Sequence, residues 1–324
     1  MTFPWTPQYK QRNHLIHSYL SYFTTYPYVW LGTWTMGGHR FGSYDQRYAH
    51  ETLEKAFDLG IRIYDSCSFY AKGQSDALLQ SFLSQKDDLS YALSYKGGLR
   101  WEGNTVVKDG SSSFLTRSVE NALKFFNRDY IDMFFLHWVD PEVDLKESLD
   151  ALHRLQADQK IKFWGVCNVD ESHVDDLLAY KGGLIQQHYN PLFRQSEQSL
   201  IRLMEHGYAL SATSPFEQGL LLNSDYLDKH YFGKKDYRQQ NAIYSSESRL
   251  EALRVFFEKC KNIEYLDLYV FLWILNQQVV DHVILGARYP EQLDFFRYVV
   301  LHKEGALSEE QAFVWSLLDH LYLA

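Results

Sequence analysis

Apolar, β-rich runs alternate with amphipathic stretches along most of this chain. Eight of the runs predict strands: Tyr28–Trp34, Arg62–Asp65, Ser90–Lys96, Tyr130–His137, Lys162–Cys167, Leu184–His188, Tyr208–Thr213 and His282–Leu285. Between them, Tyr48–Leu59, Asp76–Leu83, Phe114–Phe126, Leu145–Gln156 and Glu197–Glu205 carry helical periodicity. Leu145, Leu149, Leu152 and Leu155, for instance, recur at three- and four-residue steps and so share one helix face. Short apolar strands separated by helices imply parallel pairing through right-handed crossovers. Five or six such units would favour an open doubly wound sheet, whereas eight favour closure. The predicted class is therefore α/β, a (β/α)8 TIM barrel, with residues 1–324 as one domain.

Three segments stand outside the alternation. The first ~27 residues are aromatic and irregular and read as a cover over the barrel floor. Residues 222–245 form a long, polar, tyrosine-rich connection after the seventh strand, of the kind that serves as a lid or stays disordered. Two further helical patterns, Leu250–Lys261 and Leu266–Gln277, precede the last strand, and Ser308–Leu323 reads as a C-terminal capping helix. In that tail Ser308 followed by Gln311 fits a capping box.

Composition narrows the function. With 41 acidic against 32 basic side chains the net charge is −9, which disfavours a nucleic-acid partner. No apolar run approaches the ~20 residues of a membrane span, and the opening residues lack a cationic region followed by an apolar stretch, so neither a membrane anchor nor a signal peptide is expected. Cys67, Cys167 and Cys260 are far apart and never form a C-x-x-C pair. They read as thiols of a reduced, cytoplasmic protein with no disulfide and no metal site.

A barrel of this kind does its chemistry where strands end, because the following loops build one mouth. After strand one come Gly32, Thr33 and Trp34. Strand two ends at Asp65, with Tyr70 five residues on. Strand three ends at Lys96, strand four at His137-Trp138, strand five at Cys167-Asn168, and strand eight at Gly286-Ala287-Arg288. Each residue alone has a plainer reading: a strand-end Asp caps a helix and a Lys is solvated. Together, Tyr, Lys, Asp and His make a proton-delivery device. A free phenol with a pKa of ~10 is a poor acid at neutral pH. A nearby ammonium lowers that pKa, a carboxylate holds the ammonium, and an imidazole orients a carbonyl oxygen. Such a group protonates a developing alkoxide, and the hydride has to come from a cofactor.

These residues resemble motifs of the aldo-keto reductase superfamily, in order from about Leu31 to Leu293. Gly60-Ile-Arg-Ile-Tyr-Asp65-Ser-Cys-Ser-Phe-Tyr70 resembles the segment with the catalytic Asp and Tyr, and Gly73-Gln-Ser-Asp76 resembles Gly-x-Ser-Glu. Lys96 and Leu136-His137-Trp138-Val139-Asp140 match the catalytic Lys and His segments. Lys160-Ile-Lys-Phe-Trp-Gly165-Val-Cys-Asn168, Gln186-Gln-His-Tyr189-Asn190, Ser214-Pro-Phe-Glu-Gln-Gly219 and Ile284-Leu-Gly286-Ala-Arg288-Tyr-Pro-Glu-Gln292-Leu are similar to the later blocks. The resemblance implies a reductase of a small-molecule aldehyde or ketone. Its catalytic residues are Asp65, Tyr70, Lys96 and His137, with Tyr70 as proton donor. It also implies a nicotinamide cofactor on Gly32, Thr33, Trp34, Asp65, Cys167, Asn168, Gln186, Thr213, Ser214, Phe216, Gln218, Gly286, Arg288 and Gln292. Arg288, placed to meet a 2′-phosphate, favours NADPH over NADH. Trp34, Phe69, Trp101 and Trp138 are candidates for an apolar substrate wall.

Several positions depart from the pattern. Thr213 stands where an aromatic often stacks on the nicotinamide, and Cys167 replaces a Ser that bonds better. Phe296 replaces the adenine-side Asn, so that end is held by stacking or held weakly. Ser94-Tyr95 precedes the lysine in place of Ala-Thr. Rossmann, α/β-hydrolase and barrel metallohydrolase readings lack their G-x-G-x-x-G, G-x-S-x-G and H-x-H strings. The remaining alternative is a catalytically silent, nucleotide-binding regulatory module on the same fold. Oligomeric state is left open.

Overall fold

The computed structural model describes residues 14–38, 40–42, 45–301 and 308–322. Ten strands form: β1 (Val29–Gly32), β2 (Ile63–Cys67), β3 (Ala92–Gly97), β4 (Leu99–Glu102), β5 (Thr105–Lys108), β6 (Ile131–Leu136), β7 (Ile161–Cys167), β8 (Gly183–His188), β9 (Tyr208–Thr213) and β10 (His282–Gly286). Eight of them close into a parallel barrel in the order β1-β10-β9-β8-β7-β6-β3-β2, as the alternation of strands and helices predicts. The two exceptions, β4 and β5, pair antiparallel as a separate hairpin that the apolar pattern did not reveal.

Helices α1 (His14–Leu20), α2 (Gln46–Asp58), α3 (Gln74–Leu83), α4 (Ser112–Phe126), α5 (Leu145–Ala157), α6 (Glu171–Leu178), α7 (Glu197–Glu205), α8 (Glu247–Cys260), α9 (Leu266–Leu275), α10 (Phe296–Leu301) and α11 (Glu309–Leu321) accompany the strands. Four of the crossover helices start where a short polar side chain satisfies a free backbone N–H. Asp45, Ser111, Asp144 and Asp170 do this for α2, α4, α5 and α6. Helix α9 is apolar all round because it is covered on both sides. Helix α11 lies over it, with Trp273 Nε1 donating to Asp319 at 2.9 Å and Trp315 Nε1 to the Tyr269 carbonyl at 2.9 Å. Ser308 caps α11 by accepting from the Gln311 N–H.

Side chains of a strand alternate, so every second residue of each barrel strand shares one face. The row starts apolar at the amino ends: Trp30, Ile63, Ala92, Met133, Leu184, Ala209 and Ile284 form one buried cluster with Phe135 and Cys167. Two residues further along β2, β3 and β8 the same row turns polar, at Asp65, Ser94 and Gln186. The floor is closed by α1, whose Ile16 and Leu20 join the apolar cluster while the Tyr19 hydroxyl bonds buried Asp132. In β7 only a glycine fits, since a Cβ on Gly165 would lie 2.4 Å from the Phe135 ring and 2.5 Å from the Leu184 carbonyl oxygen.

Residues 222–245, in the connection after β9, are a chain of four short 3-10 turns, not a bare loop. Each turn is started by an Asn or Asp side chain that accepts a backbone N–H two residues on: Asn223, Asp228, Asp236 and Asn241. It lies against the segment after β1, where the Tyr237 N–H donates to the Arg40 carbonyl at 2.6 Å and the Tyr237 ring sits 5.4 Å from Trp34. Among the described residues no helix is long and apolar enough to cross a membrane.

Candidate active site

Lys96 and His137 stand at the carboxyl ends of β3 and β6, and Asp65 stands beside them in β2, which runs two residues further than expected, to Cys67. Register explains the grouping, since Asp65 pairs with Ser94 and Cys67 with Lys96 across the parallel ladder. The Lys96 ammonium bonds the Asp65 carboxylate, and both side chains are almost fully buried, at 4% and 5% exposure. The other Asp65 oxygen accepts from Ser94 Oγ at 2.6 Å and from Gln186 Nε2 at 2.9 Å. A buried carboxylate with this many donors is fixed in its orientation.

Tyr70 reaches the same place from the turn after β2. Its ring centroid is 5.3 Å from Lys96 Nζ and 5.7 Å from the His137 ring. Behind it the backbone turns sharply: Ala71 and Lys72 both lie in the left-handed region, with φ of 48° and 54°. Asp76 at the start of α3 anchors that turn, accepting from Ser66 Oγ at 2.6 Å and from the Tyr95 hydroxyl at 2.5 Å.

Electrostatics correct one expectation. Lys96 does act to lower the Tyr70 pKa, but burial raises it more, and the phenol ends well above its ordinary value. Burial thus favours the protonated phenol. Burial acts to lower the Lys96 pKa, yet the neighbouring Asp65 and Tyr70 oxygens overcome it and the ammonium ends above its ordinary value. Burial, seconded by the Lys96 charge, holds His137 well below the usual imidazole range, so it is neutral.

Around these four groups lie three of the four expected wall residues. Phe69 and Trp101 stack at 4.7 Å and 8°, Phe69 meets His137 edge-on at 6.2 Å, and Trp34 lies 6.4 Å from Tyr70. Trp101 belongs to the β4–β5 hairpin, which thereby takes part in the mouth, and its Nε1 donates to the Phe69 carbonyl at 3.1 Å. Trp138 is 41% exposed and carries the Lys108 ammonium 5.1 Å over its ring.

The remaining expected residues divide into two groups. Several already serve the protein itself: Thr33 Oγ1 donates to the Asp65 carbonyl at 3.1 Å, Cys167 Sγ to Gln186 Oε1 at 3.6 Å, and Asn168 Nδ2 to the His137 carbonyl at 3.0 Å. Others line the ends of β1, β9 and β10. Gly32 ends β1 and Thr213 ends β9; Ser214 and Gln218 have φ of 54° and 57°, and Gly286 faces open space. The Gln218 side-chain oxygen is buried with no partner among the described residues. Phe216 packs edge-on against Phe295 at 5.7 Å. Arg288 is fixed on both sides, its N–H donating to Gln292 Oε1 at 2.7 Å and its guanidinium to the Phe41 carbonyl.

Phe296 falls outside this surface. Its ring is 1% exposed and packs on Tyr26 at 5.3 Å, which leaves no face for an adenine. Ser94 and Cys67, not expected from the sequence as site residues, lie among these groups. Each sits two residues from a recognised one on the same strand, and that spacing was the available signal.

The architecture is therefore a closed parallel barrel with a buried Lys–Asp pair, a Tyr and a neutral His gathered at one rim. Comparisons with known proteins place it. The profile of the Aldo/keto reductase family matches residues 29–303, and the chain belongs to that family. These proteins are oxidoreductases that use nicotinamide cofactors on small molecules. The aldo-keto reductase YhdN of Bacillus subtilis is 28% identical over 274 residues, covering 82% of each chain. An NADH-specific methylglyoxal reductase of Escherichia coli is 28% identical, covering 81% of this chain and 86% of that protein. The structure of a glycerol dehydrogenase from Gluconobacter oxydans superposes with a TM-score of 0.75 at 25% identity, covering 91% of this chain and 92% of that one.

Proposed function

We propose that this protein reduces an aldehyde or ketone to an alcohol with Tyr70 as the proton donor. The observation that carries the reading is the meeting of Tyr70 with the buried Lys96–Asp65 pair and with neutral His137 at one rim. A carbonyl oxygen seated there lies between a phenol that retains its proton and an imidazole able to donate a hydrogen bond. As charge develops on that oxygen, the Lys96 ammonium favours the phenolate left behind, which eases transfer of the Tyr70 proton. Asp65 keeps the ammonium in place throughout. Phe69, Trp101 and Trp34 shield the reacting atoms from water.

The nicotinamide cofactor supplies the hydride when bound. The ends of β9 and β10, the seventh and eighth barrel strands, fit its phosphates, because this is where barrels of this class hold phosphate groups. Ser214 and Gln218 offer backbone and side-chain polar groups there, Gly286 leaves space, and Arg288 supplies the charge. NADPH is the preferred form on the strength of Arg288.

Two measurements test the reading together. Protein fluorescence is titrated with NADPH and with NADH, and reduction of methylglyoxal, glyceraldehyde and an aromatic aldehyde is followed at saturating nucleotide. Tighter binding of NADPH with turnover of at least one carbonyl is the expected result. Failure to bind either nucleotide overturns the proposal, and binding without turnover leaves a silent nucleotide-binding module.

A further inference from the structure

His137 does not face only the mouth. Its Nδ1 lies 3.4 Å from Cys67 Sγ, in a fully buried contact between the end of β2 and the end of β6. The same sulfur lies 3.4 Å from the carbonyl oxygen of Lys96. Burial pushes the Cys67 thiol up to about 12, so at neutral pH the sulfur carries its proton and is a donor. The imidazole is neutral, so one ring nitrogen carries hydrogen and the other accepts.

Two arrangements satisfy this count. In the first, the thiol donates to Nδ1 and the imidazole hydrogen sits on Nε2, across the ring and away from Cys67. In the second, the thiol donates to the Lys96 carbonyl, Nδ1–H points at sulfur, and Nε2 presents a lone pair. Sulfur is a weak acceptor, whereas an imidazole nitrogen is a good one, and this favours the first arrangement. The two have opposite consequences at the mouth. An Nε2–H can hold a substrate carbonyl oxygen, while an Nε2 lone pair repels it.

We propose that Cys67 is a positioning residue: its thiol donates to His137 Nδ1 and thereby fixes the imidazole in the Nε2–H tautomer. The inference rests on the reading of His137 as the group that orients the carbonyl. Cys67 touches neither substrate nor cofactor and acts only through the ring.

The test reads the tautomer directly. Protein labelled with nitrogen-15 in histidine is examined by long-range proton–nitrogen correlation, the His137 pattern being assigned by its loss in His137→Asn. The wild-type protein is expected to show hydrogen on Nε2 and none on Nδ1. Cys67→Ala is expected to shift His137 toward the Nδ1–H form, and Cys67→Ser, which keeps a donor, to restore Nε2–H. Loss of one hydrogen bond of ordinary strength predicts about fivefold lower kcat for methylglyoxal in Cys67→Ala, with NADPH affinity unchanged. Thermal melts of both variants confirm that they are folded. Hydrogen on Nδ1 in the wild-type protein, or an unchanged tautomer in folded Cys67→Ala, overturns the proposal. The nitrogen signals need no turnover, so they decide the role of Cys67 even if the protein reduces no carbonyl.

Discussion

Lys96 and Asp65 are bonded to each other at the ends of adjacent strands, in a place neither could occupy alone. The ammonium and the carboxylate are withdrawn from water, and Ser94 and Gln186 take up the carboxylate's second oxygen. Taking one partner away leaves an uncompensated buried charge, which costs about 3–5 kcal/mol. Asp65→Asn should therefore lower unfolding free energy by about that amount in urea titrations at neutral pH. A loss below about 1 kcal/mol would mean that the pair is far more hydrated than its burial indicates.

The pair also carries a pH dependence. Lys96 has a higher pKa in the folded protein than the usual 10.5, through Asp65 and Tyr70 acting against burial. A group raised on folding contributes stability that is complete below its unfolded value and drains away as pH rises through its folded value. Tyr70, raised above 10.0 by burial, pulls in the same direction. Stability should thus fall as pH climbs past about 10, with a steeper slope in the wild-type protein than in Tyr70→Phe/Lys96→Met. Equal slopes from pH 9 upward would detach these two groups from the effect.

Tyr70→Phe removes the transferable proton and leaves the ring that packs against Trp34 and His137. Carbonyl reduction should drop by at least ~100-fold, the scale of general acid catalysis, while NADPH affinity stays within about twofold. Retention of most activity would remove Tyr70 as the acid, and loss of nucleotide binding would make its role structural.

Much of this site was legible before the fold was known, for a physical reason. Parallel barrel strands are short and apolar, so an ionisable residue in or just past a strand's carboxyl half is conspicuous, as Asp65, Lys96 and His137 are. The β4–β5 hairpin was missed because Leu99–Glu102 and Thr105–Lys108 are only partly buried, and their alternation is faint. The two-residue turn Gly103-Asn104 between them was the available hairpin signal. The order in residues 222–245 was missed because it comes from polar side chains folding back on their own backbone. Hydrophobic periodicity is blind to that. Ser94 and Cys67 were overlooked as small residues whose partners come from other strands.

Glu217 ties residues 222–245 to the end of β8. It is buried at φ 46°, and its carboxylate accepts from Asn190 Nδ2 at 2.7 Å and Asn241 Nδ2 at 2.6 Å and also bonds His188 Nε2. Glu217→Ala would leave three polar groups without this acceptor, each unmade bond costing about 1–3 kcal/mol. Opening is expected to be local, because Asn241 belongs to the last of the four 3-10 turns. Limited proteolysis should then cut within residues 222–245 at least ~10-fold faster than in the wild-type protein. Cleavage at the wild-type rate would show that the backbone caps alone hold the segment.

On the proposed reading, Arg288 discriminates between the two nucleotides. Its guanidinium reaches the Phe41 carbonyl across the rim, and its charge is also felt by buried Asp236. A 2′-phosphate brought to this point meets a cation already held in place by its neighbours. An Arg–phosphate pair is charge-assisted and worth about 1.5–3 kcal/mol, so Arg288→Ala should weaken NADPH binding about 10- to 150-fold and leave NADH nearly unchanged. A solvated guanidinium would give less than about 1 kcal/mol, near fivefold at most. Stacking of Arg288 on the adenine would weaken both nucleotides alike, and Phe296 cannot supply that stacking because its ring is buried on Tyr26. Fluorescence titration of the variant with NADPH and NADH separates the cases. Equal losses would assign Arg288 to the adenine, and no loss for either would confine it to bracing the segment after β1.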